Sequence, residues 1–211
     1  MNFSSMRGPG WRLGLLRALL ASVVIGLLGG CSAMQAMQAQ NPSSALKPVN
    51  AVADGADSRV MLKGHDVVAY FTQGRHALGL AQHSSLYQEV TFRFASAEHK
   101  ALFDANPQKY LPQYGGYCAD GLVYAIPWGG DADTWRIDDG KLYIFGGASS
   151  KDAFELDVAR NRQLADKYWA EEVQGRNSFV QRSYRLVFKV PHYKSGAELA
   201  QLVDAARAKK P

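Results

Sequence analysis

The stretch "VTFRFASAEHKALFDANPQKY", Val90 to Tyr110, decides the fold class. Its first five residues alternate. Val90, Phe92 and Phe94 point one way and Thr91 and Arg93 the other, the pattern of a half-buried strand. Ser96 then stands where a helix needs its cap, and Glu98 puts a carboxylate in the first turn, where the helix dipole favours negative charge. This predicts a short helix over "AEHKALFDA", with Leu102 and Phe103 as its apolar side. Asn106-Pro107 stops it, because proline disfavours helical backbone in the residue before it. A strand feeding straight into a capped helix sets an α+β reading for the chain.

Towards the C-terminus, "GLVYAI" (121–126) reads as a strand leading to the loop "PWGGDAD". "TWRIDDGKLYIF" (134–145) is a hairpin, since Asp139-Gly140 supplies a tight turn between two β-forming runs. Ser149 and Ser150 precede a long helix reaching about Glu172, with Phe154, Val158, Ala165 and Tyr168 at helical spacing and Gly175 as its stop. Tyr184, Leu186, Phe188 and Val190 alternate as a strand would, and a helix over 178–188 fits as well. "SGAELAQLVDAARAKK" is a helix with a capping box, Ser195 to Glu198, and lysines at its end. The expected architecture is a small antiparallel sheet with packed helices on one face, plus a helical C-terminal extension.

Towards the N-terminus the chemistry changes. Residues 31–58, beginning "SAMQAMQAQNPSS" after Cys31, lack aromatics and any sustained apolar period, and read as a flexible linker. Before them, Arg7, Arg12 and Arg17 form a positive n-region, and Ala18 to Gly30 is uncharged and mostly apolar. That run is too short for a membrane span and of the right size for a signal peptide. Its ending, "LLGGC", looks like a bacterial lipobox, in which Cys31 is acylated and becomes the first mature residue. Several acyl chains on Cys31 hold a protein at a membrane stably, whereas one holds it marginally. Ser32 in the next position favours the outer membrane by analogy with such lipoproteins. The alternatives are an ordinary signal peptide, giving a soluble periplasmic protein, and an uncleaved anchor. The expected organisation is a signal peptide over 1–30, the linker over 31–58, a folded domain over 59–172 and an extension over 173–211.

The formal net charge is +5, from 24 basic and 19 acidic residues. Loss of the three signal arginines leaves a mature chain near +2 with no basic tract, which argues against nucleic acid as a partner. With 47% hydrophobic residues the chain can bury a proper core. If Cys31 carries lipid, Cys118 is the only thiol left, so no intramolecular disulfide supports the fold. No phosphate loop, Ser-His-Asp pattern, HExxH or dinucleotide fingerprint is present, which speaks against nucleotide and acyl-transfer chemistry.

Four stretches together resemble the YHS domain: "GHDVVAYF" (64–71), "FRFASAEHKALFDANPQKY" (92–110), "PQYGGYCA" (112–119) and "DGKLYIF" (139–145). The resemblance runs from about Val60 to Trp169 and is narrower still to the exported, stand-alone YHS proteins of bacteria, through "YGGYCA" and "KLY". YHS domains are similar to metal-binding modules found beside copper and heavy-metal transporters. Those carry cysteines where this chain has Ala69, Ala95 and His99. The resemblance therefore implies the fold but not a thiolate-rich metal site. Some exported members carry selenocysteine at the position of Cys118, which implies a chalcogenide nucleophile or a soft metal ligand there.

Cys118 lies in "QYGGYCADG" (113–121), where Gly115 and Gly116 permit tight backbone and close approach, and exposed amides in such a turn can stabilise a thiolate. With no CxxC pair, a resolving thiol has to come from another molecule. A small buried core cysteine is the plain alternative. His65, in the "GHD" turn beside Asp66, and His99, at the second-motif match, complete a candidate two-nitrogen, one-sulfur set suited to copper or zinc. His76, His83 and His192 read as surface residues. Tyr70, Phe71, Tyr110, Tyr114, Tyr117, Trp128, Trp135 and Tyr143 read as core, with a few available to line a pocket beside the thiol. Three functions follow as expectations: a lipid-anchored periplasmic module binding a transition metal around Cys118, a single-cysteine thiol redox protein, and a non-catalytic envelope lipoprotein that docks a protein partner.

Overall fold

The computed structural model describes residues 49–209. The segment read as a signal peptide, Cys31 and the segment read as a linker as far as residue 48 lie outside them. A four-stranded sheet is built from β1 (Ala51–Asp54), β2 (Asp57–Met61), β3 (Leu80–Tyr87) and β4 (Val90–Phe94), in spatial order β1-β2-β4-β3. The fold is α+β. The sheet is mixed rather than purely antiparallel, because β2 lies parallel to β4 through Val60 and Thr91. The alternation in β4 holds: Val90, Phe92 and Phe94 are buried while Thr91 and Arg93 are not.

Residues 49–58 do not belong to a linker. They supply β1 and the start of β2, Val49 is fully buried, and the Asn50 side-chain amide donates to the carbonyls of Gly116 and Gly130 at 3.0 Å each. A four-residue strand with one buried apolar end carries too short a period to show in the sequence.

Between β2 and β3 lies the short helix α1 (Ala69–Thr72), and after β4 come α2 (Ala97–Ala105) and α3 (Pro107–Tyr110). Ser96 caps α2 by accepting from the His99 N–H at 3.2 Å. Asn106 breaks the helix and Pro107 opens the next, a position where its missing N–H costs nothing. The segment read as a strand at 121–126 instead completes α4 (Ala119–Leu122) and then turns back, with Ile126 N–H donating to Gly121 O at 2.9 Å and Ala125 at φ +59°. The run is apolar on every side and buried throughout, so periodicity could not separate helix from strand.

The hairpin of β5 (Asp131–Asp138) and β6 (Lys141–Phe145) turns at Asp139-Gly140, both at positive φ as a tight hairpin turn requires. β6 is the wall between two cores. Leu142 and Ile144 pack with the four-stranded sheet and α2, through Phe92, Phe94 and Phe103. Tyr143 and Phe145 pack on the other side with Phe154, Leu122 and Ala165. Each of these large side chains contributes about 1.5–3 kcal/mol by leaving water.

The expected long helix is divided into α5 (Ala148–Glu155) and α6 (Val158–Tyr168), continuing into a π-helical turn over Trp169–Val173. The break falls at Leu156-Asp157 because Asp157 caps α6, accepting from Arg160 N–H at 3.1 Å. Residues 178–188 settle as the helix α7 (Ser178–Val187), capped by Asn177, and α8 (Gly196–Ala208) carries the predicted capping box. This C-terminal part is helical as expected, and it also completes the second core through Val173 and Val190. Among the described residues no helix is long and apolar enough to cross a membrane.

Candidate functional site

The route to Cys118 begins in "YGG", where Tyr114, Gly115 and Gly116 take three successive positive φ values, 54°, 61° and 80°. This turn lays the following residues along β6. Cys118 pairs in parallel with Ile144, and its N–H donates to Trp128 O at 2.9 Å. The side chain ends up 3% exposed, in the second core. Burial pushes the thiol pKa up. The backbone N–H groups of Gly121 and Gly146 and the Ser150 hydroxyl pull the other way, while the Asp120 charge adds to the rise. The Ser150 hydroxyl donates to Gly147 O at 2.8 Å; it has one proton, so it reaches the sulfur only by turning away from that carbonyl. Gly146 keeps the sulfur's side open: a Cβ there would stand 3.1 Å from Gly129 O and 3.6 Å from Cys118 Sγ.

A pocket of about 400 Å³ opens beside the sulfur, lined by Cys118, Asp120, Tyr124, Trp128, Ser150, Tyr193 and Lys194 among others. It shares Asp120, Gly146 and Ser150 with a neighbouring hollow of about 280 Å³ at the start of α5. Tyr193, Lys194 and Leu199 come from the C-terminal part, so the segment read as an extension walls the pocket. Trp128 is the one aromatic of the predicted set that is both substantially exposed and on the pocket, at 41%.

Asp120 is the unexpected member. It is 7% exposed, and its carboxyl has no hydrogen-bond or ion-pair partner among the described residues. Burial alone pushes its pKa up to about 7. A carboxyl group normally ionised near 4 is thus poised at neutrality, two residues from a thiol and on the same cavity. Nothing in the composition singled it out. The available signal was its place in "CADGLVYAI", an acid held between a cysteine and an apolar run.

The histidines expected to join Cys118 lie elsewhere. Among the described residues no three His, Cys, Asp or Glu side chains gather in a group able to hold a metal ion. His99 is buried, and its Nδ1–H donates to Asp66 Oδ2 at 2.6 Å. Its Nε2 accepts from the Gln73 side-chain amide at 3.3 Å, with the Thr72 hydroxyl 3.2 Å away. Both nitrogens are engaged, so His99 has none left for a metal. His65 directs Nδ1 to Leu62 O at 3.0 Å and stacks edge-on with His76 at 6.0 Å. His192, read as a surface residue, is half-buried: it lies between Tyr124 and Tyr168 and reaches Val123 O at 2.8 Å.

Asp66 explains the "GHD" turn. Fully buried, it accepts from the N–H groups of Val68 (2.8 Å), Ala69 (3.3 Å) and Ala95 (2.8 Å) as well as from His99. It starts α1 and ties it to the end of β4.

The chain matches no protein-family model, no curated protein and no solved structure. The geometry of the Cys118 pocket therefore carries the functional argument.

Proposed function

We propose that this is a single-cysteine thiol redox protein in which Cys118 reduces a peroxide admitted to the pocket. The observation that carries the reading is Asp120, a buried carboxyl without a partner on the same cavity as the thiol. Leaving a polar group buried and unpaired costs stability, so such a group is retained where it acts.

Ionised Asp120 takes the Cys118 proton as the sulfur attacks one peroxide oxygen. The O–O bond breaks, that oxygen stays on sulfur as a sulfenic acid, and the other leaves as an alcohol or water with the proton returned by Asp120. The N–H groups of Gly121 and Gly146 favour the developing thiolate. A small thiol then condenses with the sulfenic acid, releasing water and forming a mixed disulfide. A second thiol restores Cys118 and departs in a disulfide with the first. Cys118 is the one free cysteine among the described residues, so both reducing equivalents come from outside the folded part of the chain.

The YHS resemblance and the lipobox belong to the same proposal. They support a protein of the cell envelope, facing the periplasm and tethered through Cys31.

The test is turnover of tert-butyl hydroperoxide with a small thiol, together with trapping of sulfenic acid on Cys118 and metal analysis of the purified protein. Consumption of peroxide with trapped sulfenic acid, both lost in Cys118→Ser, is expected. Near-stoichiometric metal that disappears in Cys118→Ser, without peroxide turnover, would replace this reading with a metal site using Cys118 and Asp120 as donors. Turnover that survives Cys118→Ser would end the thiol reading.

A further inference from the structure

α7 is amphipathic in the inverted sense. Its polar residues Ser178 and Gln181 face inward and are buried, with Gln181 donating to Ala125 O at 3.3 Å and to Glu172 at 3.0 Å. Its exposed apolar residues form one face. Val180, Tyr184 and Val187, with Phe188 just past the helix end, recur at helical spacing and are 62%, 50%, 72% and 59% exposed. Scattered exposed apolar side chains need no explanation, but a contiguous stripe of them marks an interaction surface.

The charge around the stripe points to its occupant. Residues 173–197 contain Arg176, Arg182, Arg185, Lys189 and Lys194 and no acid at all. Arg185 is held by Glu172 from the preceding turn, while Arg176, Lys189 and Lys194 are exposed. A second copy of this surface would bring like charges together. An apolar stripe with aromatic residues and flanking cations is the pattern of a helix lying in a lipid interface, its cations among anionic headgroups.

We infer that α7 docks onto an anionic phospholipid surface. The Arg182 guanidinium, on the inward side of the helix, lies 5.2 Å from the centre of the Trp128 ring, which lines the Cys118 pocket, so α7 is tied to the pocket wall by the face opposite its apolar stripe. The inference stands on α7 and needs neither the acyl anchor nor the redox chemistry.

The test is co-sedimentation of the chain as processed at Cys31 but carrying no acyl group. The vesicles are phosphatidylglycerol mixed with phosphatidylcholine, or phosphatidylcholine alone. Binding to the mixed vesicles, at least about tenfold weaker on phosphatidylcholine alone, is expected, since each cation near an anionic surface is worth about fivefold. The double substitution Val187→Asp, Phe188→Asp, on exposed positions, should abolish binding with an unchanged circular dichroism spectrum. Arg176→Glu with Lys189→Glu should weaken it by more than about tenfold. No binding to anionic vesicles, equal binding by the Asp double variant, or a concentration-dependent dimer in place of vesicle binding would overturn the inference.

Discussion

Asp66 and Asp120 are both buried aspartates, and their surroundings are opposite. Asp66 accepts from three backbone N–H groups and the His99 ring, and every one of those bonds joins parts of the fold. Asp120 has no such donor and faces a cavity. A buried charge that is fully hydrogen-bonded serves architecture, whereas one left unpaired lowers stability and is kept for chemistry. The same contrast separates the two residues once expected to share a metal. His99 spends both nitrogens inside the protein, while Cys118 presents its sulfur to a pocket.

The largest effect is expected at Asp66. Asp66→Ala strips the acceptor from three N–H groups and from His99, and should cost about 3–5 kcal/mol in urea unfolding. A loss under about 1 kcal/mol would mean that the network does not hold α1 to β4.

Asp120→Asn should act in the opposite direction, and only at the right pH. The Asp120 pKa is raised to about 7 in the folded chain, against about 4 unfolded, so the protonated carboxyl favours folding. That contribution is complete below about pH 4 and is lost as pH rises through about 7. The thiol, held above its ordinary range, stays protonated over this window. Asp120→Asn should therefore equal the parent near pH 4 and exceed its stability at pH 8 by about 4 kcal/mol. Equal stability of the two proteins at pH 8 would show that Asp120 is well solvated or paired.

A smaller effect is expected at His99. His99→Gln keeps a side-chain N–H within reach of Asp66 but loses the ring's fit, and should cost about 1–3 kcal/mol while leaving the Cys118 chemistry unchanged. A fall in Cys118 reactivity would mean that the two regions are coupled across β6.

What the sequence disclosed follows the range of the interactions involved. The alternation of Val90–Phe94, the Ser96 cap, the Asp139-Gly140 turn and the Ser195–Glu198 capping box are local, and all formed as read. The Asp66–His99 bond joins residues 33 positions apart, and only the folded chain reveals it. Its existence is what removes His99 from the expected metal set. Cys118 was legible through its glycine-flanked setting. Asp120 was not, because an aspartate becomes unusual only when burial strips most of its water and leaves its carboxyl no partner. α7 was ambiguous for a related reason. Its outward apolar face reads as a buried strand if one assumes that apolar residues point inward.

The most direct test of the central claim is the rate of sulfenic acid formation on Cys118 as a function of pH, in the parent and in Asp120→Asn. With Asp120 as the base, the parent rate rises through about pH 7, where Asp120 titrates, and then levels. Asp120→Asn should be slower by about a hundredfold at pH 8, lack the inflection near 7, and rise only as the thiol itself ionises at higher pH. Superimposable profiles for the two proteins would contradict the assignment of Asp120 as the group that activates Cys118.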